Sequence, residues 1–287
     1  MSEVNSKNEK GLERIKKLLS TINREIDSPK NKKRQAKWRK WFQHGIDQWR
    51  GVAFKASRVP MVIDLQNSAW CQLLGFSLVD FYQDPLCFLE NYLKISIERY
   101  RRFDDDFYLS KHIRIWGGAA YEMSVFGVKT CFAESQDPWP SPEPLIKSAD
   151  EVDGFVENWE RKASEGILKL GMMPLALKIY EGTKDILERC GDEGEGYEVL
   201  FPEWLRGPFG IATYLRGYEN VLVDMMTAPG SVHKLMGFIT DVQLQWYDAV
   251  DRYLNRTKIK GYLYNDEVNC PSLSPAIYRE FVLPYEK

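Results

Sequence analysis

Residues Arg206 to Asp224 read RGPFGIATYLRGYENVLVD. Gly207-Pro208 turns the chain, because Pro locks φ and lacks an N–H while Gly allows close backbone approach. Beyond the turn, Ile211 to Met226 carries apolar residues at helical spacing and reads as a helix. Before it, Tyr197 to Trp204 (YEVLFPEW) is a short apolar run that follows the break Gly191 to Gly196 (GDEGEG). That run reads as a buried strand. Strand, turn and helix in this order make one βα unit.

The pattern repeats in both directions. Upstream, Arg58 to Leu65 (RVPMVIDL) reads as a first strand led by Pro60, and Leu78 to Arg102 as a helix with Asp84-Pro85 near its start. Asp104-Asp105-Asp106 interrupts that helix. Phe107 to Ile115 is expected as a second strand and Val125 to Ala133 as a third. The Pro-rich loop Glu134 to Pro144 cannot be helix interior. Helices are expected over Asp150 to Leu170 and Pro174 to Cys190, before the strand at Tyr197 to Trp204. Downstream, Pro229 opens a helix that continues over Val232 to Leu254, and Lys258 to Tyr264 (KIKGYLY) is a fifth strand. Ser274-Pro275 starts a last helix, with Ser as N-cap and Pro at the first helical position. The strands are apolar runs rather than alternating ones, which implies a parallel sheet covered by helices. A doubly wound sheet and a (β/α) barrel both satisfy this pattern. The first strand is not followed by Gly-x-Gly-x-x-Gly, which argues against dinucleotide binding.

Composition narrows the class. The chain has 287 residues, 44% apolar and 28% charged, with a formal net charge of -2. That suits one large α/β domain or two small ones and argues against a broad nucleic-acid surface. Five scattered cysteines without a Cys-x-x-Cys pair read as reduced thiols. The polar N-terminus lacks the apolar core of a secretory signal, and no run is long enough to span a membrane. The expectation is a soluble, cytoplasmic protein with no nucleic-acid or membrane partner. Residues 1 to 50 read as helical and charged. Seven basic residues fall in Lys30 to Lys40, overlapping the aromatic stripe Trp38, Trp41, Phe42 and Trp49. Such a run serves an anionic partner or is a solvated helix face beside an aromatic core stripe; base rates favour the second.

Several blocks carry a family resemblance. They are Gly207-Pro208-Phe209, Leu215 to Asn220 (LRGYEN), Asp224-Met225, Pro229 with Val232, and Leu235 to Asp241 (LMGFITD). Leu273-Ser274-Pro275, Tyr278, Glu280-Phe281 and Leu283-Pro284-Tyr285 continue them. Together they resemble the uroporphyrinogen decarboxylase superfamily over residues 200 to 287, and more loosely over 58 to 135. The resemblance implies a TIM (β/α)₈-type barrel. It covers the heme-pathway decarboxylase and the cobalamin-linked methyltransferases that use methanol, methylamines or methoxylated aromatics. The organisation expected is a helical extension over 1–55 and a barrel over 56–287. Lys287 comes before the last strands, so the barrel is expected to be incomplete at its C-terminus.

Departures from the family pattern choose between its branches. The decarboxylase's Arg-rich motif is represented only by Arg58 and Pro60 in RVPMVIDLQNSAW. The stretch expected to hold the catalytic aspartate reads FYLSKHIRI, with no acid. The methyltransferase branch implies a zinc-activated thiol and a corrinoid, but its His-x-Cys motif would fall beyond Tyr285 and is absent. None of His44, His112 and His233 stands beside a cysteine at ligand spacing, so no metal ligand is assigned. The function expected is methyl transfer between a small methylated compound and a corrinoid or thiol. Uroporphyrinogen decarboxylation is one alternative; a non-catalytic or split barrel needing a complementing chain is another. A small-molecule substrate is implied, with a corrinoid protein or a homodimer as further partners.

In such a barrel, chemistry gathers at the C-terminal ends of strands. Asp266 and Glu267 are candidate catalytic carboxylates for holding a cation or donating a proton; the competing reading is a solvated turn. His112 is a candidate base, although a lone strand histidine is more often packed. Candidate substrate contacts are Asp64, Gln66, Arg114, Glu203, Arg206 and Tyr264, with Asn67, Glu134 and Asn265 at neighbouring strand ends. Arg206 either grips an anionic group or pairs with Glu203 or Glu219. Cys270 is a nucleophile or ligand only if activated, and is otherwise inert.

Overall fold

The computed structural model describes residues 2–49, 59–117, 120–257, 267–269 and 272–287. The expected fifth strand, with Tyr264, lies outside the described residues, as do Asn265, Asp266 and Cys270.

In chain order, helices α1 (Ser2–Ile26), α2 (Pro29–Trp49), α3 (Asn67–Leu74), α4 (Leu78–Gln83) and α5 (Pro85–Arg102) precede strand β1 (His112–Arg114). Helix α6 (Ala120–Val125) and strands β2 (Thr130–Ala133) and β3 (Gln136–Pro140) follow. Then come α7 (Val152–Ala163), α8 (Met173–Arg189), β4 (Glu198–Leu200), α9 (Pro208–Arg216), α10 (Tyr218–Thr227), α11 (Pro229–Tyr253) and α12 (Pro275–Phe281). β1 and β4 pair in parallel with His112 opposite Glu198, and β2 pairs with β3. The α/β class holds. The described strands form two two-stranded sheets rather than a closed barrel. No described helix is long and apolar enough to cross a membrane.

Contacts divide the chain into two compact units. The first comprises residues 1–115, 134–137 and 178–201; the second comprises 116–133, 138–177 and 202–287.

In the first unit, α1 packs along α5. Ile15, Leu19 and Ile22 repeat at helical spacing and are at most 2% exposed, and each such side chain contributes about 1.5–3 kcal/mol of burial. Arg14 grips Glu90 of α5 at 2.9 and 2.8 Å. The basic run on α2 is neither an anionic-partner surface throughout nor a plain solvated face. Arg34 is buried and donates to the Phe107 and Phe103 carbonyls, and Lys37 reaches Asp106 at 2.8 Å. The aromatic stripe is only partly a core contact, since Phe42 is 60% exposed.

Two strand expectations and one loop expectation need correction. Residues 59–66 are neither helix nor strand and join no sheet. The N–H groups of Met61 and Ile63 donate instead to the buried carboxylates of Asp106 and Asp105, at 2.9 and 2.7 Å. The acidic run thus satisfies backbone donors that a neighbouring strand would otherwise take. Over Val125 to Ala133, α6 runs to Val125 and closes in a turn at Gly127 (φ 98), leaving only Thr130–Ala133 as strand. The Pro-rich loop contains β3: Pro is excluded from helix interiors but tolerated at a sheet edge.

The second unit is built on α9 and α11. Every residue of α9 from Pro208 to Thr213 is buried, and α11 buries Val232, Leu235, Met236, Ile239, Val242, Trp246 and Val250 along one face. Phe126, Trp159, Trp204, Phe238 and Trp246 form a chain of edge-on and tilted ring contacts with centroids 5.2–6.3 Å apart. The expected helix over Ile211 to Met226 is two helices, α9 and α10. Gly217, at φ 92, takes a conformation that no helix can continue through.

Candidate functional site

The polar centre of the second unit joins three residues that are far apart in sequence. Glu122 sits on α6, the helix that follows β1 in the chain. Arg206 lies between β4 and α9, and Glu267 lies beyond α11. Arg206 Nη1 donates to Glu267 Oε1, and Arg206 Nε stands 3.9 Å from Glu122 Oε2. Glu122 Oε1 also accepts the backbone N–H groups of Leu205 at 2.5 Å and Arg206 at 3.1 Å. The three side chains are only 10–14% exposed.

Local structure explains the arrangement. Trp204 is buried, and its Nε1 donates to the Arg206 carbonyl at 3.0 Å, which holds the turn before α9. Tyr247 of α11 donates to the Trp204 carbonyl at 2.6 Å. Pro208 starts α9 at its first turn, where no N–H is needed. A Cβ on Gly210 would lie 2.6 Å from Glu267 Oε2 and 2.8 Å from Arg206 Cγ, so the missing side chain makes room for the carboxylate. The Arg206 guanidinium lies over the Tyr214 ring at 5.2 Å. Arg206 Nε and Glu267 Oε2 are buried without a hydrogen-bond partner among the described residues.

Burial pushes the Glu122 carboxyl up from its ordinary value of 4.5, and the Glu267 charge adds to the rise. The two N–H donors and the Arg206 charge oppose it. Tyr247 is pushed up to about 12, first by burial and then by the charges of Glu122 and Glu203. A raised Glu122 means that the folded state binds more protons than the unfolded one. Stability therefore falls as pH rises from the ordinary carboxylate value through the raised one. Glu122→Gln keeps an oxygen for both N–H donors and removes the titration. Urea midpoints measured from pH 4.5 upward are expected to fall less steeply in the variant than in the parent protein. Parallel pH profiles would refute the assignment.

The other described candidates make contacts of their own. His112 and Arg114 lie on the exposed face of β1, with Ile113 buried between them. His112 Nε2 is 3.4 Å from Glu198 Oε2, its register partner on β4. Asp64 pairs with Arg99 at 3.1 Å, and Gln66 precedes α3. Asn67 donates to the Tyr82 hydroxyl, and Glu134 accepts from Ser77 and Leu78 at the start of α4. Glu203 is exposed. The structure therefore joins Arg206 to Glu267 and adds Glu122, which sequence reasoning missed. A lone Glu in the short apolar helix AYEMSV is the one sequence signal that could have found it, because such a carboxylate needs a partner.

The described residues do not fit a zinc site. No three His, Cys, Asp or Glu side chains converge on a ligand set among them. Burial holds Cys71, Cys87 and Cys190 toward the thiol, away from the thiolate that binds metal. His233 stacks on Phe281 and bonds the Tyr285 hydroxyl at 2.9 Å. The Phe281 to Tyr285 block therefore anchors the C-terminal helix onto α11.

Helices interleaved with parallel-paired strands, and a charged cluster on the segments that follow those strands in the chain, define an α/β protein with a largely buried polar centre. The profile of the uroporphyrinogen decarboxylase (URO-D) family matches residues 89–287, more than half of the chain, and the chain belongs to that family. A solved structure, a methyltransferase from Methanosarcina mazei, is similar to it with a TM-score of 0.52 and 13% identity. The similarity covers 80% of this chain and 61% of that one. At that identity the likeness concerns the fold. No curated protein matches the sequence.

Proposed function

We propose that this chain is an enzyme of the methyltransferase type with a (β/α) barrel fold. It would move a methyl group between a small methylated compound and a corrinoid or thiol acceptor. The observation that carries this reading is the charge balance of the Glu122–Arg206–Glu267 cluster. With Glu122 ionised the three groups sum to −1, and with it protonated to zero; the sum is never positive. Uroporphyrinogen carries eight carboxylates and needs uncompensated cations, whereas Arg206 is already engaged by Glu267 and Glu122. A neutral or cationic methyl donor suits such a centre.

In this reading, Glu122 supplies a proton to the donor's leaving oxygen or nitrogen. The bond from that atom to the methyl carbon breaks, and its electron pair takes the proton. The acceptor nucleophile forms the new bond to carbon. The carboxylate left behind is stabilised by the N–H groups of Leu205 and Arg206 and by the Arg206 guanidinium. Arg206 also positions Glu267, whose Oε2 remains to orient the donor. A corrinoid protein would be the partner of such an enzyme. No step is assigned to zinc.

The test is methyl transfer from methanol, methylamines and methoxylated aromatics to cob(I)alamin or a thiol, run beside decarboxylation of uroporphyrinogen. Transfer that drops about 10²-fold or more in Glu122→Gln is expected from loss of a general acid. Coproporphyrinogen formation, or no transfer across the panel, would overturn the reading. Decarboxylation remains the second reading because the family profile carries that activity's name.

A further inference from the structure

A cavity lies in the second unit, formed by the turn after α6, the start of β2, the C-terminal half of α7 and residues 170–172. Its volume is about 340 Å³, within the usual range for a small-molecule pocket. Its walls include Phe126, Val128, Trp159 and Met172, all buried. Their polar neighbours are already satisfied. Trp159 Nε1 donates to the Val125 carbonyl at 2.8 Å. The Ser124 hydroxyl donates to the Tyr121 carbonyl and accepts from Met172 N–H. The Thr130 hydroxyl points at the Met172 sulfur. What these walls leave to a ligand is apolar surface.

The charged lining residues are Lys129 and Lys162, both exposed; none of the described lining residues is acidic. Neither lysine makes an ion pair among the described residues. Lys162 also lies in the last turn of α7, where the helix dipole favours a cation and does not cancel its charge. Gly171, at φ 52, packs so close to Ser124 that a Cβ would lie 2.3 Å from its carbonyl oxygen, which fixes one wall against the other.

We propose that this cavity is a binding site for a small anionic amphiphile, an aromatic or branched aliphatic carboxylate. The apolar body would lie against Trp159 and Phe126, and the head would lie between Lys129 and Lys162. The site is separate from the Glu122–Arg206–Glu267 cluster and does not depend on the activity assigned there.

Calorimetric titration of the intact protein with 2-naphthoate, and with its neutral counterpart 2-naphthalenemethanol, tests the proposal. One 2-naphthoate per chain is expected, bound more tightly than the alcohol and more weakly at high salt. Replacing both lysines (Lys129→Met with Lys162→Met) should weaken 2-naphthoate about ten-fold or more, as expected for loss of two charge-assisted contacts, and leave the alcohol unchanged. Both positions are on the surface, so circular dichroism should report an intact fold. Equal affinity for the two probes, indifference to the double replacement, or no binding of 2-naphthoate would each overturn it.

Discussion

Arg216→Ala is expected to destabilise the protein by about 3–5 kcal/mol, the usual cost of stranding one partner of a buried ion pair. Arg216 and Asp224 are 8% and 7% exposed. Arg216 holds the carboxylate with Nε at 2.7 Å and Nη2 at 3.3 Å, while Nη1 donates to the Lys147 carbonyl at 3.0 Å. The alanine variant leaves Asp224 buried with no cation and frees the 146–147 segment on one side. That segment is otherwise tied to α9 by Ile146 N–H to the Leu215 carbonyl. Urea unfolding should show the loss. Arg216→Lys should recover only part of it, because an ammonium cannot reproduce the two-pronged contact. Removing both partners together should cost less than the sum of the single changes, since no charge is then left stranded. An unchanged midpoint in Arg216→Ala would show that the pair does not hold α9 to α10.

The second large effect is expected at Arg206. Arg206→Ala removes the cation between two carboxylates, and a loss of about 3–5 kcal/mol follows on the same grounds. Here the loss should depend on pH. The Arg206 charge pulls Glu122 down against burial, so without it the folded-state value rises further. The folded variant then holds a proton that the unfolded chain has lost, and the deficit grows as pH climbs past the ordinary carboxylate range. Denaturation at about pH 8 should therefore show a larger loss than at about pH 5. Under the methyltransferase reading proposed above, methyl transfer should fall by about 10²-fold or more, because both carboxylates lose their fixed positions. A pH-independent loss of stability would show that Glu122 does not titrate against Arg206.

Parts of this were legible in the sequence because they rest on local rules. Asp84-Pro85 does start a helix, with Asp84 accepting from the Cys87 N–H, although this divides the single helix expected over Leu78 to Arg102 into α4 and α5. Ser274 caps α12 in the same way. Pro208, Pro229 and Pro275 mark first turns. The apolar run before Gly207 and the one at 107–115 each contain a strand, and those strands pair in parallel. The run at 58–65 has the same composition, yet its Met61 and Ile63 face solvent. Composition reports that a segment suits a strand; which groups meet its N–H and C=O atoms is a long-range matter. Asp105 and Asp106 met them here.

The candidate site divides in the same way. Arg206 and Glu267 were legible as residues following apolar runs, where a barrel places its chemistry. Glu122 was not, because its partners lie more than eighty positions downstream and nothing local marks the contact. His112 stood out as a lone histidine on a strand and meets Glu198 across the register on an exposed face, so salience in sequence was no guide to burial.

The stretch from Arg206 to Asp224 shows where the two kinds of information part. Sequence alone determined its turn, its helical periodicity and the family to which it is similar, because caps, φ restrictions and apolar spacing act within a few residues. Tertiary structure decided what its charges do. In one continuous helix, Arg216 and Asp224 would be separated by about 12 Å of rise and could not meet. The Gly217 break redirects α10 and closes the pair. Arg206 had Glu203 and Glu219 as near candidates and pairs instead with Glu122 and Glu267. A buried guanidinium takes the carboxylates that packing desolvates beside it, and packing is a property of the whole unit.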